Sequence, residues 1–211
     1  MEHSPDSCLI LVGNETEQTP FVVPYKAVGQ SDILADQVEW RTCGNTINLA
    51  YDAEITATAF MPVAEYLRDG EFAPVLIDKN GLRHLAGVAL QDEKHKPAVH
   101  AAYGYMVAAK LSLNDLQTLC FDKLSAIYPL SPLTLVYVLR LYAASPKWDA
   151  EVEGPMRDWL IAHVAEFYWV LVDQHGGALS RMLRQDEELS RGVHAMLANG
   201  ESDGMRGCSD D

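Results

Sequence analysis

The sequence predicts an α+β fold in which a small, mostly antiparallel sheet with helical hairpins is followed by an all-helical extension. Three observations carry this expectation. Short runs rich in branched residues alternate with turn chemistry up to Leu85, and residues 99–124 (VHAAYGYMVAAKLSLNDLQTLCFDKL) have the spacing of two helices folded against each other. No strand signal follows Ser131.

The elements follow in order. CLILV (8–12) stops at Gly13, and Phe21-Val22-Val23 resumes after the polar loop GNETEQTP, which suggests two antiparallel strands. Pro24 can open a short helix, and Ser31 or Asp32 can cap a second one whose inner face is Ile33, Leu34 and Val38. Residues 45–51 (NTINLAY) alternate polar and apolar, as a strand with one face on a core does. Residues 56–68 place Phe60, Val63, Ala64 and Leu67 at helical spacing and stop at Gly70, a good C-terminal cap. Asn80-Gly81 lies between two candidate strands in residues 74–85, the strongest hairpin signal in the chain. Residues 90–97 (LQDEKHKP) read as a loop.

In the helical pair, Val99, Ala102, Tyr103, Met106 and Ala109 share one face, and Leu113, Leu116, Cys120 and Leu124 share another. Ser112 with Asp115 three residues on has the form of a capping box for the second helix, and the alanines with Gly104 allow close approach. Residues 132–142 and 156–173 are long apolar-rich helical segments, and residues 179–197 form an amphipathic pair of short helices around Asp186. The acidic, Gly-rich tail 199–211 has nothing to bury and is expected to be disordered.

Bulk properties bound the function. With 211 residues, 48% hydrophobic and 22% charged, the chain can fill a core without a disulfide or metal. Sixteen Lys+Arg against thirty Asp+Glu give a net charge of -14 with no basic stripe, which argues against direct nucleic-acid binding. Cys8, Cys43, Cys120 and Cys208 form no C-x-x-C pair and read as reduced thiols of an intracellular protein, cytoplasmic or nuclear. The polar start MEHSPDS is unlike a signal peptide, no apolar run is long enough for a bilayer, and the sequon at Asn14 reads as a surface turn.

With the elements in this order, residues 8–127 resemble a BTB/POZ domain of the divergent kind common in fungal proteins. FMPVAEYLRDGEF (60–72) is similar to the family's F-x-x-x-L-x-Y-L-Y-x-G-x-Y pattern, and residues 99–124 are similar to its v-Y-x-l-A-d-k-Y-x-i-x-x-L-x-x-l-c-x-x-k-L pattern. FVVPYKAV (21–28) is similar to F-x-a-H-k-x-v-L, with Pro24 where histidine is usual and Ser31 one place early. Residues 128–198 are then placed as the helical extension that often follows such a domain. The resemblance implies a non-catalytic protein–protein interaction scaffold or adaptor. It also implies that Tyr103, Met106, Leu113, Leu116 and Leu124 are packing residues, and that partners are drawn from cullin-type ubiquitin ligases or transcription and chromatin factors. Only seven mostly polar residues precede Cys8, so a strand-swapped dimer is not expected, and the chain reads as a monomer or weak homodimer.

No catalytic residue, metal or cofactor is expected. His100 has no serine, cysteine and carboxylate arrangement readable around it, and Cys120 on an apolar helix face reads as a small hydrophobe. His163, Glu166 and His175 lack the H-E-x-x-H form, Gly176-Gly177 reads as a turn between helices, and Glu187-Glu188 and Asp210-Asp211 read as solvated. FYWVLV (167–172) is apolar around a whole helix, which implies either burial on all sides or contact with something outside the domain. Tyr168, Trp169 and Trp40 are therefore the candidate partner-binding residues, with Trp148 a weaker one. The alternative is a small α/β enzyme or ligand-binding protein, with LILVG as its first strand and a site the sequence does not reveal.

Overall fold

The computed structural model describes residues 6–14, 16–41, 44–50, 52–53, 55–145 and 150–206. Cys43, Trp148, Cys208 and the Asp210-Asp211 pair lie outside them. The fold is mixed, mostly helical with a small sheet. It divides into two compact units, residues 1–129 and 130–211.

In the first unit β1 (Ser7–Gly13) and β2 (Gln18–Pro24) form an antiparallel hairpin with Cys8 opposite Val23 and Ile10 opposite Phe21. Asn14 Oδ1 accepts from Thr16 N at 3.0 Å and Glu17 N at 2.7 Å, so the sequon asparagine is used in the turn. Gly13, at φ 132°, is required there: a Cβ would stand 2.3 Å from the Glu17 carbonyl oxygen. The short helices α1 (Tyr25–Val28) and α2 (Asp32–Asp36) follow, and Ser31 caps α2 by accepting from Leu34 N at 3.0 Å.

β3 (Glu39–Arg41), too short to signal itself in sequence, pairs antiparallel with β4 (Gly44–Asn48), and β4 pairs parallel with β1. The sheet order is β2-β1-β4-β3. β4 ends at Asn48 and buries Asn45, Thr46 and Ile47 alike. The expected one-sided strand is corrected by its position, because a parallel strand inside a sheet is covered on both faces.

α3 (Ala57–Asp69) is capped by Thr56, whose hydroxyl accepts from Ala59 N at 3.2 Å, and closed by Gly70 at φ 75°. β5 (Leu76–Lys79) and β6 (Leu82–Leu85) form the expected hairpin, with Asn80 and Gly81 at φ 58° and 76°. The segment 90–97 is not a loop: a 3-10 turn covers Asp92–Lys94 and α4 (His95–Lys110) starts at once. Pro97 is tolerated because the first-turn N–H groups have no intrahelical acceptor.

The capping box at Ser112 does not form. α5 (Asn114–Ala126) has no side-chain cap, and Ser112 instead takes φ 53° just past the end of α4. Ser112 N donates to Ala109 O at 3.3 Å and Leu113 N to Ala108 O at 2.9 Å, the paired bonds of a Schellman close. Phe60, Met106, Leu113, Leu116, Cys120 and Leu124 are buried as expected, but α4 buries more than one stripe. Tyr105 is the fully enclosed tyrosine, while Tyr103 is half-buried.

The second unit is helical: α6 (Pro132–Ala144), α7 (Ala150–Glu166), α8 (Tyr168–Gln185) and α9 (Glu187–Arg206). α6 packs on α8 and α7 on α9. The single helix expected over 156–173 is two, divided at Phe167. Gly176-Gly177 directly follows His175, whose non-helical backbone (φ −140°, ψ 21°) makes a kink that divides α8 into two helical stretches, so the glycines stand at a junction between helices as the sequence reads them. Asp186 caps α9 by accepting from Leu189 N at 2.9 Å. α9 continues to Arg206, into the segment expected to be a disordered tail.

Candidate functional site

The first unit concentrates its chemistry around Lys123 of α5, whose side chain is 1% exposed. Its ammonium meets Glu71 Oε1 at 2.6 Å, the Pro74 carbonyl at 2.7 Å and the Phe72 carbonyl, and sits 3.7 Å over the Phe72 ring. Burial pulls this lysine below its ordinary pKa and the Glu71 carboxylate pushes it back. Three acceptors meet three N–H donors, so no lone pair is left for nucleophilic or Schiff-base chemistry. Lys123 is a structural clip on residues 71–74.

His100 of α4 grips the same segment from the other side. Its Nδ1 lies 3.2 Å from the Ala73 carbonyl, and its ring meets Phe72 edge-on at 5.7 Å. A carbonyl only accepts, so Nδ1 carries the proton and Nε2 is left as an acceptor. Burial holds this histidine below its ordinary pKa. Beside it, Met61, Ala73, Pro74, Lys96, Val99 and Tyr103 help line a groove of about 730 Å³. Of the residues expected on the packing face of α4, Val99 and Tyr103 line this groove, whereas Met106, with Leu116 of α5, is in the core.

Cys8 and Cys120 are packing groups. Cys120 is enclosed and burial pushes its thiol far up, and Cys8 is pushed to about 11 for the same reason. His163 Nδ1 lies 3.2 Å from Glu166 Oε2, its ring packs edge-on against Trp159 at 4.7 Å, and His175 marks the kink in α8. No group of three or more metal-ligating side chains occurs among the described residues. No helix among them is long and apolar enough to cross a membrane.

The candidate partner-binding residues are at the surface. Trp40 on β3 is 74% exposed with one face on Tyr25, ring centroids 5.6 Å apart. Trp169 at the start of α8 is 69% exposed, 5.2 Å from Tyr168, and Val170 and Val172 beside it are also exposed. Tyr168 is half-buried and borders a small cavity with Leu179, Leu183 and His194. Of the two readings of residues 167–172, burial on all sides is therefore overturned: only Leu171 is fully enclosed, because the chain breaks at Phe167 and α8 turns a second face outward.

The Lys123–Glu71 clip and the Lys96–His100 groove were missed in the sequence. A lysine beside an apolar helix stripe, three residues from the expected core Cys120 on one side and adjacent to Leu124 on the other, was the available signal. No family model, no curated protein and no solved structure matches the chain.

Proposed function

We propose that the chain is a non-catalytic protein–protein interaction module of the BTB/POZ type with a helical extension, acting as a scaffold or adaptor. The carrying observation is the contrast between its reactive and its apolar side chains. Lys123, Cys120 and Cys8 are consumed in packing, while Trp40 and Trp169 stand out in solvent at 74% and 69% exposure. Each exposed indole leaves roughly 2–4 kcal/mol of burial unclaimed, at about 25 cal/mol per Å² over most of a 150–250 Å² side chain.

The order of elements also supports this reading. The β1–β2 hairpin, the short helix pair, the parallel return of β4 beside β1, and the α3–α4–α5 layer follow the sequence in which the BTB-like motifs were found. One edge strand of the sheet, β2, carries Pro20 and Pro24, and the other, β3, is three residues long. Such edges resist strand addition, which favours a monomer or weak homodimer. Partners are proteins, of the cullin-ligase or chromatin and transcription kind, in the cytoplasm or nucleus.

The test is quantitative affinity purification of the wild-type, Trp40→Ala and Trp169→Ala chains from the source cell. A protein retained stoichiometrically by the wild type and lost from one variant supports the proposal; its identity as a cullin, a chromatin component or a second copy separates the branches. Equal recovery by all three chains overturns the role of the tryptophans. A stabilisation of several degrees by a nucleotide or metal in a thermal-shift panel would favour the enzyme alternative instead.

A further inference from the structure

We infer that the groove between α3, the bend at Ala73–Pro74 and the first turns of α4 docks an acidic peptide segment of a partner protein, which seats a large apolar side chain on Met61, Pro74 and Val99 and a neighbouring carboxylate on Lys96. This rests on the interaction-module reading and adds the chemistry of the partner.

The apolar half of the argument is the groove wall. Met61 is 46% exposed although it stands between buried Phe60 and Pro62, and Val99 and Tyr103 are only half-covered. About 730 Å³ is room for one or two large side chains and is too small for a globular surface.

The polar half is charge. In a chain with thirty acids and sixteen bases, residues 94–114 contain Lys94, His95, Lys96, His100 and Lys110 and no Asp or Glu. Three of the acids that border this region are engaged by other donors, whereas Asp92 and Asp115 flank it in the chain outside the groove lining. Glu65 accepts from Ala73 N at 2.9 Å, Glu71 holds Lys123, and Glu93 accepts from Ala89 N at 3.0 Å and Leu90 N at 2.9 Å. Lys94 is turned to the Pro129 carbonyl at 3.3 Å. Lys96 is exposed and enters no ion pair or side-chain hydrogen bond among the described residues.

The first turn of α4 itself carries no acid, and the acids before it, Asp92 and Glu93, lie in the preceding 3-10 turn. Lys96 is therefore the charge within the groove that an incoming carboxylate can meet. His100, its Nδ1–H committed to Ala73, offers Nε2 to a peptide N–H. A hydrogen-bond acceptor, a cation and an apolar seat within one groove match an acidic peptide with an apolar anchor, and match a basic one poorly.

The experiment selects a random dodecapeptide library displayed on phage against the immobilised full chain and measures the recovered peptides by fluorescence anisotropy. The expected pool is enriched in Asp or Glu beside Leu, Phe or Trp. Lys96→Glu should weaken these peptides roughly tenfold or more, Met61→Ala by several-fold, and Lys79→Glu, the same charge change on the exposed β5, by less than about twofold. Melting curves confirm that each variant is folded. A pool with no acidic enrichment, or peptides weakened equally by Lys79→Glu and Lys96→Glu, overturns the proposal. The Trp40 and Trp169 comparison uses neither Lys96 nor Met61, so failure of the groove and failure of the interaction reading are seen in separate measurements.

Discussion

Gly104 and Gly192 each sit inside a helix where a neighbouring element comes too close for a side chain, yet they do so against different neighbours. A Cβ on Gly104 would stand 2.9 Å from Cys120 Sγ and 3.2 Å from two ring carbons of Pro62. One on Gly192 would stand 2.4 Å from Ile161 Cδ1, 2.9 Å from its Cγ1 and 3.3 Å from its Cγ2, all atoms of one aliphatic side chain with no ring among them. The first unit is a rigid joint in which α3, α4 and α5 meet through small residues and a proline ring. In the second, aliphatic side chains can turn aside. Polar groups follow the same division. The first unit encloses and saturates Lys123, whereas among the described residues of the second the ion pairs, such as Arg191 with Glu187 at 2.8 Å, lie outside.

The largest blow to the rigid joint is Lys123→Met, which keeps the stem and removes the ammonium. It leaves Glu71 with only the Phe72 N–H (2.8 Å) and no countercharge, and leaves two carbonyls without their donor, and a loss of about 2–3 kcal/mol is expected in chemical denaturation. A change below about 1 kcal/mol would mean that the clip does not hold residues 71–74.

The paired glycines come next. Replacement by alanine gains up to about 1 kcal/mol of helix propensity at either site. At Gly104 the unyielding Pro62 ring reverses this, for a net loss of about 1–2 kcal/mol. At Gly192 the Ile161 side chain must turn as a whole, because Cγ1 and Cγ2 are pressed as well as Cδ1, and the net is a smaller loss of up to about 1 kcal/mol. Equal losses at both sites would erase the distinction between the units.

A smaller effect is expected with pH. His100 is held below its ordinary value of 6.5, so the unfolded chain takes the proton first. The stability due to this group is complete above about 6.5 and is lost as the pH falls towards its folded value. His100→Asn, which keeps a donor for the Ala73 carbonyl, should flatten that part of the pH–stability curve. An unchanged slope would place the titration elsewhere.

The smallest change belongs to Trp169→Ala, which should leave the melting temperature within about a degree because the indole is largely in water already. A large loss would show that Trp169 is part of a core and would remove it as a partner-binding residue.

Much of the first unit was legible because its signals are local. The Asn80-Gly81 turn, the Ser31 cap and the Gly70 close depend on a few neighbouring atoms, and each stands where the sequence puts it. Ser112 misled for a related reason. Its sequence fits a cap for the following helix, but the chain direction between α4 and α5 uses it to finish the preceding one. The burial of β4 on both faces and the break at Phe167 are decided by what packs alongside, to which residue periodicity is blind. The candidate site was less legible still, since Glu71, His100 and Lys123 come together only when α4 and α5 fold onto the segment after α3.

The sequence by itself determined most element types and many of their ends, the acidic balance and the use of Cys120 as a hydrophobe, because propensity, capping and composition act within a few residues. Only the tertiary structure decided that Lys123 is an enclosed clip, that Lys96 and His100 border one groove, and that Trp169 faces water. Burial and charge environment are properties of distant segments brought together, and no window of the chain contains them.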